Sequence, residues 1–311
     1  MPTRAQLQAL TDELRRLKAG GERGVTVSAE SLEQLHAAVN ASMAEHAAVV
    51  AEQTAAVSPT AAAESRLTSP VSPRGPAPSS SSIPSTAPSV HLPEGDKAAR
   101  WAALRELVLN DPVCRAHVFP GKQVVFGVGN IDAAIMFVGE APGADEEDQG
   151  EPFVGRAGQL LNRMIKAMGL DRSQVYIGNI LNWRPEMPRN PDGSQTGNRP
   201  PSAAEMTYCL PFIREQIALI RPRVVVALGK TAVDGLLGAD RFKTMGAARG
   251  TWHTYADTPL RATYHPSYLL RQEGLTSHSA KKIKRDAWED LLNVMERAGL
   301  PVSEKQRGFF L

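Results

Sequence analysis

The apolar run Ile135-Met136-Phe137-Val138 stops at Gly139, and a loop dense in Gly, Pro, Asp and Glu separates it from a helix-like run that starts at Gly158. Strand, turn and helix in that order point to a parallel α/β sheet, in which ligands bind beyond the carboxyl ends of the strands. Gly139, Pro142 and Gly143 let the backbone turn sharply and approach a ligand closely. The same loop carries Glu140, Asp145, Glu146, Glu147 and Asp148. So many carboxylates would repel a phosphate, and the Lys-Ser/Thr ending of a nucleotide-binding loop is missing. The loop suits a neutral planar ligand with a carboxylate held beside it.

The rest of the chain supports that architecture unevenly. Residues 1–57 contain two helical candidates, with Leu7, Leu10, Leu14 and Leu17 near helical spacing in the first and Ser31 and Gln34 at capping-box spacing in the second. They predict a helical arm able to bind a protein partner. Residues 58–96 are rich in Pro, Ser and Ala and nearly devoid of large apolar side chains, which predicts a disordered linker. The folded body is expected over 97–311. There, predicted helices at 97–109, 160–168, 203–220, 230–237 and 281–298 alternate with predicted strands at 124–128, 133–138, 175–181, 223–228, 252–255 and 261–264. That alternation gives a parallel sheet layered between helices. Residues 183–202 form a long Pro/Asn/Gly loop of the kind that is functional or mobile.

Net charge is only +2, so charge alone selects no partner. The two cysteines, Cys114 and Cys209, cannot build a disulfide framework or a cysteine-only metal site. They suit a reducing compartment, and the N-terminus lacks the apolar core of a signal peptide. No apolar run approaches a membrane span. The expectation is a cytoplasmic monomer, nucleoid-associated if bacterial, with no membrane contact.

Four stretches fall at predicted strand ends and therefore along one edge of the sheet: the Glu140 loop, Phe153, Asn179 and the His265 loop. An aromatic face can stack on a nucleobase. An Asn amide offers a donor and an acceptor to the O4 and N3–H edge of uracil. An imidazole can stabilise a departing pyrimidine anion, and a carboxylate can orient water or stabilise an oxocarbenium-like sugar. Taken singly, each residue has a structural reading: a helix-start carboxylate, a core Phe, a turn Asn, a strand-end His. Their joint order favours a site.

The stretches GEAPGADEEDQGEPFVGRAGQLL, YIGNILNWRP, RPRVVVALGKTA and HPSYLLR resemble, in order, the motifs of family 4 uracil-DNA glycosylases, over about 124–292. The resemblance implies a three-layer α/β/α fold with a four-stranded parallel central sheet. It implies hydrolysis of the N-glycosidic bond of uracil in DNA, leaving an abasic site, with uracil-containing and abasic-site DNA as partners. By motif position, Glu140 and His265 would be catalytic, and Ala141, Gly143, Glu147, Phe153 and Asn179 would bind uracil, with Glu147 helping to exclude a thymine methyl. Ser267, Tyr268, Leu269 and Arg271 would enter or flank the duplex as the base flips. Arg184, Arg189 and Arg199 of the long loop could contact phosphates.

The chain departs from the family at the iron–sulfur cluster, which takes four cysteines. Cys114 has no partner at short spacing, and Trp183 stands where the family places a cysteine, so only Cys114 and Cys209 remain. Two thiolates cannot hold that group, which predicts a protein with no metal and no cofactor, Trp183 filling the space instead. The basic, histidine-bearing insert of a related group that links covalently to DNA is also missing. A non-catalytic or product-retaining binder of uracil or abasic-site DNA is the alternative.

Overall fold

The computed structural model describes residues 83–84, 86–190, 193–273 and 277–310, all within one compact unit, Pro76–Leu311. The expected N-terminal arm and most of the expected linker lie outside the described residues. Helix α1 (Lys97–Leu109) starts where Asp96 accepts a hydrogen bond from the Ala99 amide at 2.8 Å, satisfying one of the free amides of the first turn. A short helix α2 (Pro112–Ala116) is capped in the same way by Asp111. The end of the expected linker is not separate from this body. Ile83, Val90 and Leu92 pack against the cluster built by Leu104, Val108 and Trp183.

Six strands form one sheet: β1 (Val128–Gly129), β2 (Ile135–Gly139), β3 (Tyr176–Asn179), β4 (Val224–Leu228), β5 (Trp252–Tyr255) and β6 (Thr258–Thr263), in the order β1-β3-β2-β4-β6-β5. The four inner strands are parallel, and β1 and β5 add antiparallel edges. The four-stranded expectation therefore describes the parallel centre. The predicted strand over 124–128 is replaced by extended chain that reaches the ladder only at Val128. The Val125 amide donates to the Asn182 carbonyl at 2.8 Å and the Asn182 side chain returns a bond to the Val125 carbonyl at 2.9 Å. One asparagine thus replaces ladder pairing there.

The helices α3 (Ala144–Gln149), α4 (Arg156–Ala167), α5 (Ala203–Ile220), α6 (Lys230–Leu237), α7 (Met245–Ala248), α8 (Pro266–Arg271), α9 (His278–Ala298) and α10 (Glu304–Arg307) complete the unit. Strand side chains alternate between faces. Ile135 and Phe137 meet Leu161, Ile165, Trp288 and Leu291 of α4 and α9 on one side. Met136 and Val138 meet Ile213, Ile217, Ala232 and Val233 of α5 and α6 on the other. That two-sided burial is why β2 and β4 read as unbroken apolar runs. Among the described residues no helix is long and apolar enough to cross a membrane.

Candidate active site

Register brings the functional loops level. Gly139 at the end of β2 pairs with Asn179 at the end of β3, and Leu228 at the end of β4 pairs with Thr263 of β6. Beyond these ends lies a cavity of about 490 Å³. Of the residues the sequence singled out, Glu140, Ala141, Gly143, Phe153, Asn179, Arg199, His265, Ser267 and Arg271 line it. Gly139 makes the meeting possible. A Cβ there would lie 2.4 Å from Asn179 Oδ1 and 2.5 Å from the Phe153 ring.

Asn179 is 6% exposed, and its Oδ1 has no hydrogen-bond partner. An unpaired buried acceptor costs about 1–3 kcal/mol, so the site is short of one donor that a ligand N–H could supply. Phe153 adopts φ 55°, a left-handed conformation unusual for a bulky residue. Its ring lies 5.6 Å from the His265 ring. His265 caps α8: its Nδ1 accepts from the Ser267 amide at 3.1 Å and lies 2.8 Å from Ser267 Oγ. An Nδ1 that accepts leaves the proton of the neutral ring on Nε2. Burial, with the positive Arg271 nearby, holds the His265 pKa down at about 4, so the ring is neutral at pH 7. Glu140 Oε2 accepts from Thr231 Oγ1, at the start of α6, at 2.5 Å.

Several expected residues are placed otherwise. Glu147 does not line the cavity; its carboxylate meets Arg184 at 2.9 Å. One residue is about 100° of helical rotation, and it is Glu146 that lines the cavity. Glu146 accepts from the Gly143 amide at 3.0 Å and from the Val154 and Gly155 amides at 2.9 Å each. As the third residue of α3 it sits where a carboxylate can turn back on its own helix start. Thr231, Pro185 and Asn198 were also missed.

Arg184 is buried and donates to Glu147, Asn198 and the carbonyls of Gln195 and Gly197, which fastens the long loop. Arg189 lies over the Phe119 ring at 3.6 Å and donates to the Gly193 carbonyl. Arg199 borders the cavity but forms a bidentate pair with Glu205, both contacts at 2.7 Å. Leu269 is buried too. The turn of α8 directs it into a groove with Leu160, Met164 and Leu291. Tyr268 lies between the Tyr264 ring at 5.2 Å and the Arg271 guanidinium at 5.6 Å.

Cys114 and Cys209 are both buried. Hydrogen bonding to Cys209, with burial, holds the Cys114 thiol well above its ordinary range, which keeps it protonated. Trp183 is 1% exposed and stacks on His117 at 4.8 Å, with Tyr208 beyond it at 6.4 Å. Tyr208 in turn donates to the Asp111 carboxylate at 3.0 Å. This donor set does not fit a four-thiolate group: the chain has two thiols, and an indole packs in the same cluster.

A family model described as the uracil DNA glycosylase superfamily matches residues 126–292. A type-4 uracil-DNA glycosylase from Pyrobaculum aerophilum is 34% identical over 186 residues, 58% of this chain and 89% of that protein. A type-4 uracil-DNA glycosylase from Thermotoga maritima is 36% identical over 168 residues, 54% of this chain and 79% of that protein. A type-5 uracil-DNA glycosylase from Pyrobaculum aerophilum is 30% identical over 178 residues, 52% of this chain and 74% of that protein.

Proposed function

Because the chain belongs to the uracil DNA glycosylase superfamily, we propose that it flips uracil out of DNA and hydrolyses the N-glycosidic bond without an iron–sulfur cluster. The enzyme is a hydrolase acting on N-glycosyl bonds, and DNA is its substrate. The observation that carries the mechanism is the buried, unpaired Asn179 Oδ1 beside the Phe153 ring, with the neutral His265 facing that ring.

Uracil stacks on Phe153, and Asn179 accepts from N3–H while its amide donates to O4. The C1′–N1 bond breaks and its electron pair leaves with the base. His265 Nε2–H donates to O2 of that uracil anion; being neutral, the ring stabilises the charge without protonating the base. Glu140, fixed by Thr231, faces the sugar cation, orients the water whose oxygen joins C1′ and takes the proton that the water loses. The product is an abasic site. Ser267 and Arg271, which line the cavity, and Tyr268 on the same short helix are the strand-contacting set.

The test is excision from a uracil-containing labelled oligonucleotide by aerobically purified protein, with the visible absorption spectrum taken on the same sample. Excision by a colourless protein is the expected result. A brown protein would overturn the cluster-free reading. A colourless protein that binds uracil DNA without excising would shift the assignment to a non-catalytic binder.

A further inference from the structure

The segment Pro152–Gly155, which carries the Phe153 ring, is gripped from two sides by opposite charges. Arg172, in a turn of 3₁₀ helix just before β3 (Arg172–Gln174), donates to the Pro152 carbonyl at 2.5 Å and the Phe153 carbonyl at 3.1 Å. A further bond to Asn162 Oδ1 at 3.1 Å fixes the guanidinium against α4. Glu146 takes the next two amides, of Val154 and Gly155. Both charged groups thus hold the backbone of one short segment, while Glu146 also accepts from the Gly143 amide. Phe153 sits there in its left-handed conformation, and α4 presses on it closely: a Cβ on Gly158 would lie 1.9 Å from the Phe153 carbonyl oxygen. A non-glycine residue at positive φ persists only where its surroundings over-determine it.

We propose that Arg172 is a positioning residue for uracil recognition, acting through Phe153 by holding its peptide in the strained conformation that presents the ring to the cavity. Its planar fork of donors suits two successive carbonyls, which a lysine ammonium cannot match. The inference rests on Phe153 being the uracil platform.

The test compares Arg172→Ala, Arg172→Lys, Phe153→Ala and the double variant Arg172→Ala/Phe153→Ala, each first shown to be folded by its thermal transition. Two readouts are taken: single-turnover excision, and inhibition by free uracil. Arg172→Ala should slow excision by about 10- to 100-fold, the scale of a platform displaced by an ångström. It should weaken free-uracil inhibition as Phe153→Ala does, with Arg172→Lys falling in between. The double variant should be no slower than the slower single variant, because both changes remove one interaction. Multiplying effects, or unchanged uracil inhibition in both Arg172 variants while Phe153→Ala loses it, would overturn the proposal. If Phe153→Ala itself excises normally and is inhibited normally, the platform reading fails instead.

Discussion

His265 shows what a single residue owes to its surroundings. Its ring is held neutral by burial and by Arg271, and oriented by the Ser267 amide. With the folded pKa at about 4, the acid limb that His265 contributes to the excision rate should fall near pH 4, not near the ordinary value of about 6.5. A pH–rate profile checks this; an acid limb near 6.5 that disappears in His265→Gln would sink the neutral-imidazole mechanism. The stability sign follows from the same shift. Above about pH 6.5 both folded and unfolded states carry a neutral ring, so the residue contributes no pH dependence there. Between about 6.5 and 4 only the unfolded chain takes up the proton, so folding stability drops as pH falls through that window. Denaturant titrations at pH 7.5 and 5 should show a smaller difference for His265→Gln than for the natural chain. Asn179→Asp tests the partner residue. A carboxylate would replace the donor that faces O4 with a negative acceptor, and uracil excision should fall on the order of 100-fold. Equal single-turnover rates for the two proteins would remove Asn179 from base recognition.

At the level of elements, most of the frame was legible because strong periodicity and punctuation agree: α5 and α6 run over the residues their sequences predict, and β2 and β4 are as apolar as strands buried on both faces must be. The site was legible as a set of strand ends, since a level register carries those ends to one cavity. What was not legible depends on side-chain direction and tertiary partners. Glu146 and Glu147 are neighbours in a run of acids, and only the phase of α3 decides which faces the cavity. Arg184 looks like a phosphate ligand in a Pro/Arg loop until its buried partners are seen. Leu269 in HPSYLLR looks exposed until the phase of α8 turns it inward. Gly158 shows such tertiary control most sharply. Within a helix, Gly→Ala ordinarily gains about 1 kcal/mol from propensity. Here the added methyl would meet the Phe153 carbonyl oxygen at 1.9 Å, so Gly158→Ala should displace the platform and cut kcat/KM by at least about 10-fold. A variant that gains stability and keeps full activity would show that the α4 start and the Phe153 loop are not mechanically linked.

For the whole molecule, the question is what ties α1 and α2 to the rest of the fold around Trp183. The third apolar cluster joins α1, α2 and α5 around Trp183, with Leu104, Val108, Phe126 and Phe212 closing it and Ile83, Val90 and Leu92 adding cover from the preceding segment. The two-cysteine count was legible in the sequence, but the packing around Trp183 was not, because it depends on His117 and Tyr208, which are remote in sequence. Packing of this kind is local in effect and insensitive to chelators, whereas a structural metal makes stability depend on metal activity. Trp183→Ala should therefore cost about 3–5 kcal/mol, the range for emptying a buried aromatic site. At roughly 2–4 °C per kcal/mol for a body of this size, the melting temperature should fall by roughly 6–20 °C. An iron chelator with a reductant should leave both the melting temperature and the excision rate of the natural chain unchanged. Calorimetry on the three samples decides the matter. A chelator-induced loss comparable with the Trp183→Ala loss would mean that a bound metal, and not the indole stack, secures this edge of the fold.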